Sequence, residues 1–259
     1  MISWAGHGED QILRRILINR DPGTFIDIGA AHPKFGSVTY AFYKLGWRGI
    51  SIEPRNELAK AWKKTRPEDL LIVAALTLTG RNGYILNRGF RSKFIDENEL
   101  KSADQYSRSK AVSTSELAEI INEHLNVAPT FIKIDIEGKE CEVVESLISN
   151  RIMPELWLIE VVDQYQSEHI RRESSARLKS FLEVHGYQLA LFDGVNEWYV
   201  LKSSETLNRN IWAPAYPGVE DFIPFHLTTN YRIRNYINLK RRIVLKSLNV
   251  FIKTAMRGT

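Results

Sequence analysis

Residues 24–54, TFIDIGAAHPKFGSVTYAFYKLGWRGISIEP, decide the fold because they form one strand–turn–helix–strand pattern. An apolar, β-branched run at 24–28 predicts a strand, and the small residues at 29–31 predict a turn that a ligand can approach closely. A helix is expected over 37–45, with a serine that can cap it and a glycine after it. A second strand is expected at 49–52. This pattern is typical of an α/β protein with a parallel sheet.

Two acidic side chains stand near the ends of these strands. Asp27 precedes Gly29 by two positions, and Glu53 follows the second strand immediately before the helix-breaking Pro54. In an open parallel sheet, ligands bind outside the carboxyl ends of the strands, so both acids and the small turn should meet at one crevice. Glu53 is placed there to accept hydrogen bonds from both hydroxyls of a ribose.

The turn between the strands lacks the glycine pattern of a phosphate site. It reads GAAHPK at 29–34, whereas a dinucleotide site needs Gly-x-Gly-x-x-Gly so that a pyrophosphate can lie on backbone amides. The sequence also has no Gly-x-x-x-x-Gly-Lys-Ser/Thr loop. A ribose-binding acid without a phosphate cradle favours S-adenosylmethionine, which carries a ribose and an amino acid but no phosphate.

Several motifs, taken in order, carry a family resemblance. They are GEDQIL at 8–13, DIGAAHP at 27–33, SVTY at 37–40, GWRGISIEP at 46–54, FIKIDIEG at 131–138 and DGVNEWYV at 193–200. In this order they resemble the FkbM family of S-adenosylmethionine-dependent methyltransferases, over about residues 6–202. Two positions depart from the family pattern. Ala31 stands where many methyltransferases carry a second glycine, and Glu197-Trp198 replaces the expected Arg-Phe, which leaves the substrate open.

The resemblance implies an α/β fold of the Rossmann-like class I methyltransferase type. That fold is a mostly parallel seven-stranded sheet with helices on both faces and an antiparallel last strand, and its cofactor is S-adenosyl-L-methionine. Glu9 then lines the cofactor pocket, although an acid in a first helical turn equally favours the helix dipole. The expected cofactor-binding residues are Glu9, Asp27, Gly29, Ala30, Ala31, Glu53, Pro54 and Asp135.

Methyl transfer to a hydroxyl requires a group that takes up the proton of the acceptor. Asp135 and Glu137 follow the strand expected at 130–134, and Glu160 lies in the strand expected at 155–162, so all three belong near the same crevice. We expect the catalytic residues among Asp135, Glu137 and Glu160. The structural alternative is that Asp135 caps the following helix and Glu137 stabilises its first turn.

Other candidate groups have structural explanations. His32 precedes a proline and is expected to shape its loop rather than act as a base. His7, Glu9 and Asp10 lack a spacing that is diagnostic of metal ligands, so we expect no metal site. The sequence DGVN at 193–196 predicts a hairpin turn, with a substrate-facing role as the alternative.

The remaining chain up to residue 204 alternates between helical and strand patterns. Further helices are expected over 9–19, 55–65, 116–124, 139–150 and 174–185, and further strands over 70–76, 188–192 and 198–201. Ser115 or Thr114 should cap the helix that begins at 116. The polar segment 79–113 is too long for an ordinary connector, so we expect either a mobile lid over the crevice or a partly disordered segment.

The length of 259 residues and 44% apolar side chains suffice for one α/β domain with an appendage. We assign residues 1–204 to the methyltransferase domain and residues 205–259 to a linker and a basic amphipathic C-terminal helix. A single cysteine excludes an internal disulfide and fits a reducing cytosol. No signal peptide or membrane span is predicted. We therefore expect a cytoplasmic protein.

The C-terminal tail is basic. From residue 222 onward there are eight lysines and arginines and no acid, so residues 1–221 carry 4 − 8 = −4. Apolar residues recur at helical spacing between 231 and 257. Packing on the domain itself, packing on a second copy as a homo-oligomer, and binding an anionic surface at the inner face of a membrane all remain open. The few aromatic residues argue against nucleic-acid binding.

These features together predict an S-adenosylmethionine-dependent O-methyltransferase. Family members act on hydroxyls of small molecules and sugars, and the form of the DGVN hairpin resembles members tied to bacterial glycan assembly. The resemblance therefore implies a sugar hydroxyl in a polysaccharide or glycolipid as the acceptor. The alternative is a non-catalytic protein that kept the cofactor fold and acts as a partner-binding or membrane-binding module.

Overall fold

The computed structural model of the 259-residue chain describes residues 2–86, 93–96, 106–136, 138–161, 168–211 and 223–224. Two predictions concern residues that lie wholly or largely outside these ranges. Glu137 lies outside the described residues, and so does almost all of the tail that follows residue 211.

The described residues form strands β1 to β14 and helices α1 to α7. In chain order the strands are Ile2–Ser3, Thr24–Ile28, Arg48–Ile52, Leu70–Ile72, Ala75–Thr77, Gly83–Leu86, Lys93–Asp96, Tyr106–Ser109, Ala111–Ser113, Phe131–Ile134, Leu156–Glu160, Tyr187–Phe192, Asn196–Leu201 and Ile223–Pro224. The helices are Glu9–Ile16, Tyr40–Lys44, Ala59–Thr65, Thr114–His124, Glu140–Ser149, Glu168–Val184 and Glu205–Ile211. A 3₁₀ turn at Asn56–Leu58 leads into α3.

Seven strands form the central sheet in the order β12-β13-β11-β10-β2-β3-β4. Strand β13 pairs antiparallel with both of its neighbours, whereas the other pairs of this sheet are parallel. The predicted Rossmann-like fold, with a mostly parallel sheet of seven strands and an antiparallel last strand, is therefore confirmed. From the adjacent strands β2 and β10, the chain adds later strands in opposite directions across the sheet. Ligands bind at such a switch point in open parallel sheets.

Helices cover both faces of the sheet because its central strands are apolar on both sides. All four residues of β10 are buried, and adjacent residues of β2 and β10 belong to different cores. Phe25 and Phe131 stack at 5.6 Å between ring centroids on the face that carries α1, α2 and α7. Ile26 and Ile132 pack on the opposite face against α4, α5 and α6. Alternation of side chains along each strand thus supplies two cores.

The expectation of one buried strand over residues 70–76 is wrong. Strand β4 ends at Ile72, and β5 leaves the central sheet to pair with β9. The residues of β4 are only half buried, because β4 lies at the edge of the central sheet and pairs there with β3 alone. A continuous apolar run is therefore divided between two sheets.

The described part of segment 79–113 is largely made of strands, so the expectation of disorder is wrong for these residues, and the alternative of a mobile lid over the crevice stays a prediction. Strands β6, β7 and β8 make a three-stranded antiparallel sheet with β6 in the centre, and β9 leads into α4. Ser113 rather than Ser115 or Thr114 caps α4, through a capping box with Glu116. Thr114 instead shares a hydrogen bond of 2.7 Å with Ser146 on α5.

The body of the protein continues beyond residue 204. Leu207 of α7 is fully buried against α1, and the Asn210 side chain donates a 2.8 Å hydrogen bond to the Ile16 carbonyl. Strand β14 pairs with β1 at the N-terminus. The division of the chain at residue 204 stays a prediction, since most of residues 205–259 lies outside the described residues. No helix in the described part of the chain has the length and apolar character needed to cross a bilayer.

Candidate active site

A cavity of about 490 Å³ opens at the carboxyl ends of β2, β3 and β10. Gly29, Glu53 and Asp135 line it, so the crevice that was predicted from the strand ends is present. Its apolar wall comes from the central sheet, α5, β5 and the inserted antiparallel sheet. The main apolar side chains of that wall are Ile28, Ile52, Leu76, Phe94, Ile136 and Val143.

The turn after β2 passes directly against the turn after β10. Gly29 has a φ of +75°, and a Cβ atom there would lie 1.8 Å from the Asp135 carbonyl oxygen, so only glycine fits. Ala31 has a φ of +52° without being glycine. Two hydrogen bonds hold this strained residue, because its N–H donates to Glu53 Oε2 at 2.7 Å and its carbonyl accepts from Trp62 Nε1 at 2.9 Å.

Glu53 lies at the edge of the cavity with only 4% of its surface exposed. Its Oε2 accepts from the Ala31 amide, and its Oε1 accepts from the Arg55 amide at 3.0 Å and from Arg55 Nε at 2.7 Å. A carboxylate has about four lone-pair positions, so three are in use. These three hydrogen bonds fix the orientation of the Glu53 carboxylate at the edge of the cavity.

Asp27 supports the turn from below and is not among the residues that line the cavity. Its Oδ2 accepts a 2.6 Å hydrogen bond from Thr39 Oγ1, and its Oδ1 lies 3.6 Å from Lys133 Nζ. Ala30 is also absent from the lining, and its N–H donates to the Ile52 carbonyl of β3. Pro54 does line the cavity. The predicted cofactor residues therefore form two groups: some line the cavity, and others, such as Asp27 and Ala30, support the residues that line it.

Lys133 is a buried cation that the sequence analysis did not single out. Its Nζ donates to the Gly29 carbonyl at 2.8 Å and lies 3.2 Å from Asp135 Oδ2. Burial works against the charged form, but Asp135, Asp27 and Glu160 outweigh it and raise the pKa of Lys133 above the ordinary lysine value. The side chain is therefore an ammonium ion at neutral pH.

Asp135 lines the cavity and shares a hydrogen bond with the side chain of Glu160, which ends the neighbouring strand β11. Burial works to raise the pKa of Asp135, but the attraction of Lys133 and the hydrogen bond from Glu160 lower it below the ordinary aspartate value. Next to the Lys133 ammonium, Asp135 is therefore favoured in its carboxylate form. The structure thus brings two of the three predicted catalytic acids together.

His7 stands on the same side of the sheet, before α1. Its backbone N–H donates to Glu9 Oε2 at 2.8 Å, and its Nδ1 lies 3.4 Å from Glu9 Oε1. The hydrogen bond to Glu9 raises the pKa of His7, and the charges of Asp193 and Asp135 raise it further. Glu9 is not among the residues that line the cavity, so its described contacts are with His7. A direct cofactor contact by Glu9 stays a prediction.

Two other sequence interpretations can be compared with the structure. His32 Nδ1 accepts from the Lys34 and Phe35 amides, both at 3.1 Å, which shapes the loop as expected. Asp193 accepts from the Val195 and Asn196 amides and from Trp198 Nε1, so its carboxylate is used within the hairpin turn.

The acid that departs from the family pattern, Glu197, is 6% exposed. It accepts a 2.6 Å hydrogen bond from the Tyr199 hydroxyl and another from Ser175 of α6. The Glu197 side chain therefore lies in the interior between β13 and α6.

Comparison with known proteins gives one family match and several similar folds. The profile of the methyltransferase FkbM domain matches residues 27–189. No curated protein sequence is similar enough to count as a match.

Among solved structures, the chain is similar to a precorrin-6y C5,15-methyltransferase from Geobacter metallireducens, with 13% identity, 78% of this chain and 94% of that chain covered, and a TM-score of 0.42. It is also similar to an S-adenosylhomocysteine-bound methyltransferase from Podospora anserina, with 12% identity, 74% and 78% covered, and a TM-score of 0.39. At this level of similarity no functional detail transfers from these proteins to this chain.

Proposed function

Because the chain belongs to the FkbM methyltransferase family, and is thus a methyltransferase that uses S-adenosylmethionine, we propose that its acceptor is a hydroxyl group of a sugar in a polysaccharide or glycolipid. The observation that carries the oxygen acceptor is the Asp135–Glu160 carboxyl pair beside the cavity. An oxygen nucleophile must lose a proton when it is methylated, and this pair is placed to take it.

The residues of the cavity fit the cofactor. The cavity volume lies in the usual range for small-molecule sites, and one wall is apolar, which suits an adenine ring. Glu53 suits the two hydroxyls of a ribose, and the charged side chain of Lys139 suits the carboxylate of the amino acid part. Gly29 and Ala31 line the cavity, so the backbone turn itself is part of this wall.

Bound S-adenosylmethionine supplies a methyl group on a sulfonium ion, whose sulfur is already a good leaving group. The protein then has to hold the acceptor oxygen in line and remove its proton. An alcohol oxygen becomes strongly acidic as its bond to carbon forms, so a carboxylate that stays ionised is a sufficient base. Asp135 is that carboxylate, and it receives the hydroxyl proton.

Two observations favour a sugar as the acceptor. One is the polar character of the groups around the Asp135–Glu160 pair, which we call the acceptor side, and the other is the family resemblance of the DGVN hairpin. The groups on that side include His7, Asp135 and Glu160, which are all polar. Such groups can form hydrogen bonds with the several hydroxyls of a sugar and would be poorly matched to an apolar acceptor.

The test is methyl transfer from labelled S-adenosylmethionine to a panel of sugar, amine and thiol acceptors. We expect transfer to sugar hydroxyls, and a loss of about 10²- to 10⁴-fold in kcat for Asp135→Asn, with binding of S-adenosylhomocysteine retained. Glu155→Gln is the matched control, because Glu155 pairs with Arg20 at 2.8 Å at the opposite edge of the sheet. Transfer to amines or thiols alone would refute the oxygen acceptor.

We also propose that the basic tail holds the protein on an anionic membrane surface at the cytoplasmic face, where lipid-linked glycans are within reach. The support is the sequence of residues 231–257, with seven basic and no acidic residues up to residue 253 and an eighth at Arg257. Each basic residue near such a surface contributes about 1 kcal/mol. Full-length protein should sediment with anionic vesicles at low salt, and Arg241→Glu with Arg242→Glu should release it. Equal sedimentation of both proteins, or none by either, would refute the role of the tail in membrane binding.

A further inference from the structure

Lys133 occupies the third position of β10, in register with Asp27 on β2 and Leu158 on β11. Its side chain is 11% exposed, so the ammonium group sits under the cavity rather than in solvent. A lysine ammonium has three N–H donors. Three oxygen atoms surround it: the Gly29 carbonyl at 2.8 Å, Asp135 Oδ2 at 3.2 Å and Asp27 Oδ1 at 3.6 Å.

These oxygens belong to parts of the site that have different tasks. The Gly29 carbonyl is in the turn that faces the cofactor cavity, and Asp27 lies beneath that turn. Asp135 belongs to the carboxyl pair on the acceptor side. Within the described residues, Lys133 is in contact with both parts at once.

We propose that Lys133 is a positioning residue that ties the cofactor-binding turn to the Asp135–Glu160 pair and holds Asp135 in its ionised form. The role of Lys133 in methyl transfer rests on the proposed function. The tie itself rests on the three contacts of the ammonium group.

The charges around Asp135 come from several elements. Lys133 on β10 and His7 before α1 favour its ionised form, while Asp27 on β2 and Glu140 at the start of α5 oppose it. Glu160 on β11 shares a hydrogen bond with Asp135 that also favours the ionised form. Lys133 is the nearest cation to Asp135, and the directions of the two pKa shifts agree with this geometry: lysine raised, aspartate lowered.

Without the ammonium, the carboxylate of Asp135 would lose its nearest opposite charge, and the Gly29 carbonyl would lose its donor. Asp135 would then hold a proton at higher pH and could no longer accept one from an acceptor hydroxyl. An arginine at position 133 would keep the charge but not the compact set of three donors. The two variants therefore separate the electrostatic part of the role from the geometric part.

The experiment is a carboxyl-carbon NMR titration of the full-length protein, with the Asp135 signal assigned through its loss in Asp135→Asn. We expect its midpoint to move to higher pH in Lys133→Met and to stay near the wild-type value in Lys133→Arg. Binding of S-adenosylhomocysteine, measured by calorimetry, should weaken about tenfold in Lys133→Met, since one charged hydrogen bond to the turn is lost. An unmoved midpoint in Lys133→Met overturns the inference.

Asp27→Asn provides a second variant that keeps the inference falsifiable if Lys133→Met does not fold. Without the Asp27 charge, Lys133 interacts mainly with Asp135, so the midpoint of the Asp135 titration should move to lower pH. A shift of that midpoint to higher pH would contradict the proposed role. Neither titration needs an acceptor or turnover. A failure to methylate sugar hydroxyls would therefore refute the proposed function and leave this result standing.

Discussion

Two buried cations, Arg66 and Lys133, support the same strand β2 in different ways. The Arg66 side chain is completely buried, and its Nε and Nη2 atoms both lie 2.6 Å from Asp69 Oδ2. Its guanidinium carbon stands 4.5 Å from the centroid of the Trp62 ring and 5.3 Å from that of Phe25. Lys133 instead has carboxylates around it and touches the main chain that lines the cavity.

The two cations belong to one chain of contacts. Arg66 Nη1 donates to Thr39 Oγ1 at 2.9 Å, and Thr39 donates to Asp27, which faces Lys133. Arg66 is matched by one carboxylate, Asp69, and is packed between aromatic rings. The carboxylates around Lys133 outnumber it and adjoin the cavity. A buried ion pair away from the cavity indicates a structural role, whereas an excess of opposite charge beside a cavity indicates chemistry.

The largest expected effect is on the structural side of this comparison. Arg66→Met leaves Asp69 buried without its partner, and breaking a buried ion pair costs about 3–5 kcal/mol in the free energy of unfolding. Urea denaturation measures the loss. The Asp135 titration should remain where it is in the folded variant. A large shift of the Asp135 titration without a loss of stability would show that Arg66, like Lys133, acts on the site rather than on the fold.

An intermediate effect is expected on the cavity side. Glu53→Gln keeps the shape of the side chain but removes its charge, and hydrogen bonds to charged groups contribute about 1.5–3 kcal/mol. Binding of S-adenosylhomocysteine should therefore weaken about ten- to a hundredfold in calorimetry. Glu57→Gln is the matched control, because Glu57 is exposed on the neighbouring 3₁₀ turn. Equal binding by wild type and Glu53→Gln would remove Glu53 from the cofactor site.

The smallest expected effect concerns the buried acid outside both cation clusters. Ser175→Ala removes one of the two hydrogen bonds described for Glu197, while the 2.6 Å bond from Tyr199 remains. The unfolding free energy should fall by about 0.5–1.5 kcal/mol, and methyl transfer should be unchanged. A selective loss of transfer to one acceptor would place Glu197 in substrate recognition after all.

The sequence predicted the parts of the site that follow from local pattern. Gly29 and Glu53 could be placed because each follows a strand, and the carboxyl ends of parallel strands meet at one edge. The antiparallel last strand followed from the family resemblance. Boundaries were less accurate, as at α4, where Ser113 rather than Thr114 is the cap. Cap choice depends on the φ and ψ angles at the helix start, and composition alone does not reveal them.

The roles of Lys133 and Arg66 were decided only by the tertiary structure. A lysine inside the short apolar strand FIKI gives no sign of its partners, because both faces of that strand are buried. Its contacts with Gly29 and Asp27 come from a strand about a hundred positions earlier in the chain, and the Gly29 contact spans 104 positions. Local sequence thus determined the strands, the turn and the acids at their ends. The packing of distant strands decided which charges share one low-dielectric space, and that sharing sets which groups are ionised.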